Sequence, residues 1–222
     1  MERRLIDTAD GSKTLFIPAM DEQYHSVNGA LTESDYVFLQ QGYRAHPSAS
    51  PAVFEVGFGT GLNALVTALQ ANKSKRSTRF VSIEKYPVTP DEIQALDYGN
   101  LFSEEAVHLF QEIHAAEWDK EVPVSDYFSL LKIHADLTEY NFTEGQKFDV
   151  IYFDAFGPDK QPNMWQNDIF LKIYHACRQD AIFVTYSAKG EIRRKLAACG
   201  FSMERLPGPP GKRQMLRGIN KQ

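Results

Sequence analysis

The stretch Ala52 to Asn63, AVFEVGFGTGLN, limits most sharply what this chain can fold into. A short apolar run ends at Val56, three glycines follow at alternate positions (Gly57, Gly59, Gly61), and a helical pattern of Leu62, Leu65, Val66 and Leu69 starts at once. The pattern reads as strand, tight turn, helix. Glycine supplies the backbone angles such a turn needs and lets a ligand approach bare main chain. The amides freed at the helix start then face whatever binds there.

A second apolar run, Phe80 to Ile83, ends at Glu84, 23 residues after Gly61. In a nucleotide-binding βαβ unit an acid about 20 residues on stands at the tip of the second strand and accepts from ribose hydroxyls. Glu84 therefore suits an adenosine-type ligand; the alternative is a surface glutamate at a strand end. The glycine spacing is G-x-G-x-G, whereas the dinucleotide fingerprint is G-x-G-x-x-G, and no phosphate-cradling G-x-x-x-x-G-K-[ST] occurs. The tighter turn, opened by Glu55, resembles the cofactor loop of Rossmann-like S-adenosylmethionine-dependent methyltransferases.

The 222 residues suffice for one α/β domain with a sizeable core. No apolar run reaches the length of a membrane span, and the start MERRLIDTADGSK lacks a signal-peptide core, so a cytoplasmic protein without membrane partners is expected. The two cysteines, Cys177 and Cys199, are expected to be reduced. The net charge of −5 argues mildly against nucleic acid, but it is unevenly spread. Ser187 to Gln222 holds nine Lys/Arg against Glu191 and Glu204, a balance of +7, which leaves −12 on the rest. An acidic body with one basic face fits this division, and so do merely solvated helix and strand faces.

Along the chain, Asp10-Gly11 turns between Leu5-Ile6 and Leu15 to Ile17, predicting an N-terminal β-hairpin. Thr32 and Asp35 resemble a helix start, with the tight turn Asn28-Gly29 just ahead. The polar loop NKSKRSTR reads as solvated. Pro90 and Ser103 open helices, to about Tyr98 and Ala116. Strands are expected at Ala52 to Val56, Phe80 to Ile83, Leu130 to His134, Phe148 to Phe153 and Ala181 to Thr185, the parallel ones buried on both faces. Helices are expected over Trp165 to Cys177 and Ile192 to Cys199. Phe201 to Leu206 and Arg213 to Ile219 are separated only by PGPPGK, too little for a crossover, so this pair is antiparallel. The fold class is α/β: a mostly parallel seven-stranded sheet with an antiparallel last strand, preceded by a hairpin extension.

Ligands of an open parallel sheet sit beyond the carboxyl ends of its strands, and Glu55, Glu84, Asp136 and Asp154 occupy such ends. Glu84 would hold the ribose. Asp136 would accept from an adenine amino group or cap the following segment. Asp154 opens DAFGPDKQPNMW, where Gly157, Pro158 and Pro162 impose an irregular loop at the centre of the site. The segment resembles the one that faces the transferable methyl in amine methyltransferases of this topology, where transfer is an in-line displacement in which positioning dominates and the amine must be neutral. Asp154 would hold the amine and take up its proton. Phe156 and Trp165 would wall the pocket, although a Trp at a helix start is commonly core. No H-E-x-x-H, C-x-x-C or G-x-S-x-G is present, so neither a metal centre nor a serine nucleophile is expected.

Six segments in order, YHSVNGALTESDYVFL, FEVGFGTGLN, VSIEKYPVT, DAFGPDKQPNMW, FVTYSAKGEIRRKL and GKRQMLRGI, resemble the methyltransferase domain of the tRNA 5-methylaminomethyl-2-thiouridine biosynthesis proteins of the MnmC type. The resemblance runs along nearly the whole chain. It implies an extension over 1–50 packed on a methyltransferase domain over 51–222. It implies S-adenosylmethionine held by Glu55, Gly57, Phe58, Gly59, Thr60, Gly61, Asn63, Glu84, Lys85 and Asp136, with Asn28 and Gly29 closing over it. The implied reaction is methylation of the 5-aminomethyl group of a wobble uridine, with Asp154 catalytic.

The acceptor, tRNA engaged at its anticodon arm, would meet Phe156, Pro158, Trp165, Lys189, Arg193, Arg194, Lys212 and Arg213. Family members read Gly-Asp where this chain has Ala135-Asp136, which keeps the acid. Two-part members add a flavin-dependent oxidase domain absent from this sequence, so a stand-alone methyltransferase is expected, fed by a separate enzyme that makes the aminomethyl uridine. The competing readings are an aminopropyltransferase related to spermidine synthase and a catalytically silent RNA-binding module on the same fold.

Overall fold

The computed structural model describes residues 1–222. The N-terminal hairpin forms from β1 (Arg4–Asp7) and β2 (Lys13–Ile17), and a two-residue β3 (Glu22–Gln23) extends it to three antiparallel strands. Then α1 (Ala30–Glu33) passes without a break into a π-helical stretch, Ser34–Tyr43. Its bonds reach five residues back, as from the Arg44 N–H to Leu39 O at 2.8 Å. The wide turn lies flat on the sheet because Gly42 has no side chain: a Cβ there would stand 3.0 Å from both Tyr152 Cε1 and Val184 Cγ2.

The core alternates as expected: β4 (Ala52–Val56), α2 (Leu62–Ser74), β5 (Thr78–Glu84), α3 (Pro90–Leu96) and α4 (Glu104–Ala115), followed by β6 (Glu121–Ser125) and β7 (Phe128–His134). After β8 (Phe148–Phe153) come α5 (Asn167–His175), β9 (Cys177–Thr185), α6 (Gly190–Cys199), β10 (Phe201–Pro207) and β11 (Gln214–Asn220). The main sheet has the order β10-β11-β9-β8-β4-β5-β7-β6. β11 runs antiparallel to both β10 and β9, and the strands from β9 to β7 are parallel.

Two features lie beyond the seven expected strands. β6 is an antiparallel edge strand hairpinned to β7, and its Pro123 sits where the register shifts, the place an edge tolerates a residue that cannot donate. β9 begins at Cys177 instead of Ala181, because a bulge against β8 and a left-handed Asp180 (φ 60°) absorb the extra residues. The preceding helix accordingly ends at His175.

The sheet splits the core into two layers. Val53, Val150 and Tyr152 face α2, α4 and the π-helix, while Phe54, Ile151 and Phe153 face α5 and α6. Leu15, Ala30, Val37 and Phe38 belong to the first layer, so the N-terminal segment shares the main core. Arg76, in the loop read as solvated, closes that layer instead. Its guanidinium lies 4.3 Å over the Tyr43 ring and donates to the carbonyls of Tyr43, His46 and Ser48 at 2.6 to 3.0 Å. No helix is long and apolar enough to cross a membrane.

Candidate active site

The chain leaves β4 toward β5 on one side and reaches β8 on the other, so the carboxyl ends of β4 and β8 open a crevice where strand order reverses. Backbone bonds fix its floor: Gly57 N–H donates to Ile83 O and Asp154 N–H to Val56 O, both at 3.0 Å. The glycines of the turn are required by geometry. Gly59 and Gly61 have φ of 51° and 75°, and a Cβ on Gly57 (φ 87°) would lie 3.0 Å from Asp154 O. A cleft of about 240 Å³ runs from this loop along the ends of β5 and β7.

Nine of the predicted residues line this cleft: Gly57, Phe58, Gly59 and Asn63 from the glycine loop and α2, then Glu84, Lys85, Asp136, Asp154 and Phe156. Glu84 is anchored by two amides, Gly59 N–H at 3.0 Å and Tyr86 N–H at 2.7 Å, and its remaining lone pairs face the cleft. Asp136 accepts from Thr138 N–H and Oγ1 and pairs with Lys85 Nζ at 2.7 Å, which holds its carboxyl below the ordinary value against the opposing effect of burial. Ile83, Ala135 and Leu137 supply an apolar strip between the two acids.

The remaining cofactor-side predictions sit elsewhere. Glu55 is fully buried beneath the loop and does not line the cleft. One oxygen accepts from Ser82 Oγ at 2.6 Å, the other has no partner, and burial raises its carboxyl well above the usual range, favouring the neutral form. Thr60 and Gly61 lie behind the turn, where Thr60 Oγ1 bonds His25 Nε2 at 2.7 Å. The position beside the glycine loop expected for Asn28 and Gly29 is taken by Tyr24 and His25. Gly29 (φ 137°) instead starts α1, packed against the Asp10 carboxylate that caps Thr32, and Asn28 faces a second cavity. Burial holds His25 down to about 4, a neutral imidazole.

That second cavity, about 280 Å³, meets the first at Asp154, Ala155 and Phe156. Asn63 Nδ2 donates to Asp154 at 2.8 Å, and Ser34 Oγ in turn bonds Asn63 Oδ1. Burial, reinforced by the nearby Glu33 charge, pushes the Asp154 carboxyl up to about 8. Phe156 meets Tyr24 edge to face at 5.1 Å. Trp165 is core: it is 1% exposed and donates from Nε1 to Phe156 O at 2.8 Å, so it fixes the loop from behind instead of walling the pocket. Pro158 is half-buried and lines neither cavity.

Of the basic predictions only Lys212 reaches the site, paired with Glu33. Lys189 pairs with Asp159 outside it. Arg194 and Arg213 are exposed, and Arg193 is half-buried with its Nε enclosed and unpartnered. Tyr24, His25, Glu33 and Tyr186 were not singled out in the sequence. Tyr24 and His25 directly precede the Asn28-Gly29 turn, so that segment was legible and its register was not.

The donor set suits S-adenosylmethionine: bare glycine amides, a strand-tip carboxylate with free lone pairs, an apolar strip and a second acid. Residues 104–221 match the profile of a family described as S-adenosyl-L-methionine-dependent methyltransferase. The tRNA 5-methylaminomethyl-2-thiouridine biosynthesis bifunctional protein MnmC of Paraburkholderia xenovorans is 33% identical over 218 residues, covering 92% of this chain and 33% of that protein. The same-named protein of Aeromonas salmonicida is 33% identical over 217 residues, covering 88% and 32%. The chain thus spans about a third of the length of these relatives. Among solved structures, MNMC2 from Aquifex aeolicus superposes with a TM-score of 0.83 at 24% identity over 99% of this chain and 70% of that one. Spermidine synthase from Thermotoga maritima gives 0.57 at 12%, over 100% and 72%. Both share the fold. With the profile matched over more than half its length, the chain belongs to the family of S-adenosyl-L-methionine-dependent methyltransferases.

Proposed function

We propose that this chain methylates the 5-aminomethyl nitrogen of wobble (2-thio)uridine in tRNA, giving the 5-methylaminomethyl nucleoside. The observation that carries the reading is that a cavity lined by three carboxyl groups, Glu22, Glu33 and Asp154, against one lysine, Lys212, opens onto the cofactor cleft at Asp154. An amine is the acceptor that such a cavity attracts. The printed names of the relatives supply the nucleoside class.

Glu84 and Asp136 take the ribose and adenine ends of the cofactor, and Gly57 to Asn63 its main-chain approach. S-adenosylmethionine supplies an electrophilic methyl group on a sulfonium. The chain orients the amine, keeps water away with Tyr24 and Phe156, and takes up the proton on Asp154. A carboxyl pushed up to about 8 is matched to proton transfer near neutral pH. Residues 1–50 serve as an extension that completes the site of the domain over 51–222. The supply of aminomethyl uridine falls to a separate enzyme, in the cytoplasm where tRNA is processed.

The test is mass spectrometry of the wobble nucleoside after incubating tRNA that carries 5-aminomethyl uridine with the protein and S-adenosylmethionine. A gain of one methyl is expected. The three carboxylates also suit a polyamine, the substrate of an aminopropyltransferase; transfer of an aminopropyl group to putrescine from the decarboxylated cofactor, with tRNA left unmodified, would establish that reading instead.

A further inference from the structure

Beyond Asp154, the acceptor cavity contains a cation that belongs to the chain itself. Lys212 lies in the loop between β10 and β11, where Gly211 takes φ +83° and Lys212 N–H donates to Pro209 O at 2.9 Å. This turn sends Lys212 inward while Arg213 stays exposed. The Lys212 ammonium pairs with Glu33 Oε1 and stands 3.9 Å over the centre of the Tyr186 ring. A carboxylate beside an aromatic face is a recognition pattern for alkylammonium groups.

The two partners are not equally free to move. Glu33 is buried, its side chain 6% exposed, and Ser26 N–H pins its other oxygen at 2.9 Å. Tyr186 is fixed by its hydroxyl, which donates to Ala155 O at 2.8 Å, next in sequence to Asp154. Lys212 is 30% exposed on a surface loop and can swing into solvent by rotating its own side chain. The carboxylate and ring are therefore built in, and the cation is the removable part.

We propose that Glu33 and the face of Tyr186 form the site that receives the acceptor's ammonium group on its way to Asp154, and that Lys212 fills this site at rest and is displaced by the acceptor. The proposal rests on the amine-methylation reading and adds a specificity residue, Glu33, and a built-in competitor. Neutral acceptors of the same shape gain nothing by displacing Lys212. Amines arrive charged, trade places with the lysine, and lose their proton only beside Asp154.

The probe is ethylammonium chloride, titrated into protein labelled at its tyrosine rings and followed by NMR, with ethanol as the neutral control. Wild type is compared with Lys212→Met, with Lys212→Gln, which keeps a donor for Glu33 should the methionine variant fold poorly, and with Lys212→Gln/Glu33→Gln. Ethylammonium should bind each single variant at least tenfold more tightly than wild type, shift the Tyr186 ring, and lose that gain in the double variant; ethanol should do none of this. Equal affinity in wild type and the Lys212 variants, or a gain that survives Glu33→Gln, would overturn the proposal and leave the pair as a strap between the last hairpin and α1. Methyl transfer by wild type to aminomethyl-uridine tRNA is scored separately. Transfer with a flat ethylammonium comparison overturns the placeholder alone. A clear ethylammonium gain without transfer to tRNA upholds the ammonium site and removes the RNA assignment.

Discussion

Asp154 answers two demands that oppose each other. In the proposed role of proton acceptor it must ionise, yet its burial in the fold favours the neutral form. Its unfolded carboxyl ionises near 3.8 and its folded one near 8, so between those values the folded chain holds a proton that the unfolded chain has released. Stability contributed by this group therefore falls as pH rises from about 4 to about 8. Asp154→Asn should remove that penalty. Solvent reaches the rim of the side chain, so the expected gain at pH 8 is about 1 kcal/mol, or roughly 3 °C in Tm, vanishing near pH 4. The same variant should lose about a hundredfold or more in methyl transfer and the rise in rate around pH 8, while cofactor affinity holds. Thermal melts at two pH values and a pH-rate profile check both halves. Glu84 makes the complementary case. Glu84→Gln keeps an acceptor for Gly59 N–H but gives up the charge, and calorimetry should show S-adenosylmethionine binding weakened by about tenfold to a hundredfold.

Elements, unlike single carboxylates, were largely legible in the sequence. Periodicity alone separates β4, β5, β7 and β8 from the helices between them, and the glycine turn marks the switch point. What escaped was structure held by side chains far apart in sequence. β6 reads as polar because it is an edge, and the π-helix is indistinguishable from an α-helix in a ten-residue pattern. Glu33 carries no signal of its own in the sequence, because Ser26 and Lys212, the latter 179 residues downstream, surround it only in the fold. Arg76 is the sharpest instance, a cation in a basic loop that proves to be the clamp on the end of the π-helix. Arg76→Met should cost about 2 to 3 kcal/mol in urea unfolding, since it leaves the carbonyls of Tyr43, His46 and Ser48 without their donor. A solvated loop residue would cost under about 0.5 kcal/mol.

At the scale of the whole molecule the question is how a chain of net charge −5 would engage the proposed RNA acceptor. Counting charges gives the last 36 residues a surplus of +7, but ion pairs consume much of it. Lys189, Lys195, Lys212, Arg217 and Lys221 each face a carboxylate within 4.0 Å. The cations left unpaired are Arg193, Arg194, Arg205 and Arg213, and of these Arg193 is partly enclosed. Arg194 and Arg205 converge: a Cβ on Gly190 would lie 3.3 Å from one guanidinium and 3.8 Å from the other. Under the proposed tRNA reading these two guanidiniums, neither of them in an ion pair, form the patch that would hold a phosphate oxygen. Reversing both, as Arg194→Glu/Arg205→Glu, should weaken tRNA binding and lower the slope of log K against log salt by about 2, while S-adenosylmethionine affinity stays put. Binding isotherms at several salt concentrations read this directly. An unchanged slope would mean that tRNA approaches by another face, and that the surplus near the C-terminus serves the fold through its ion pairs.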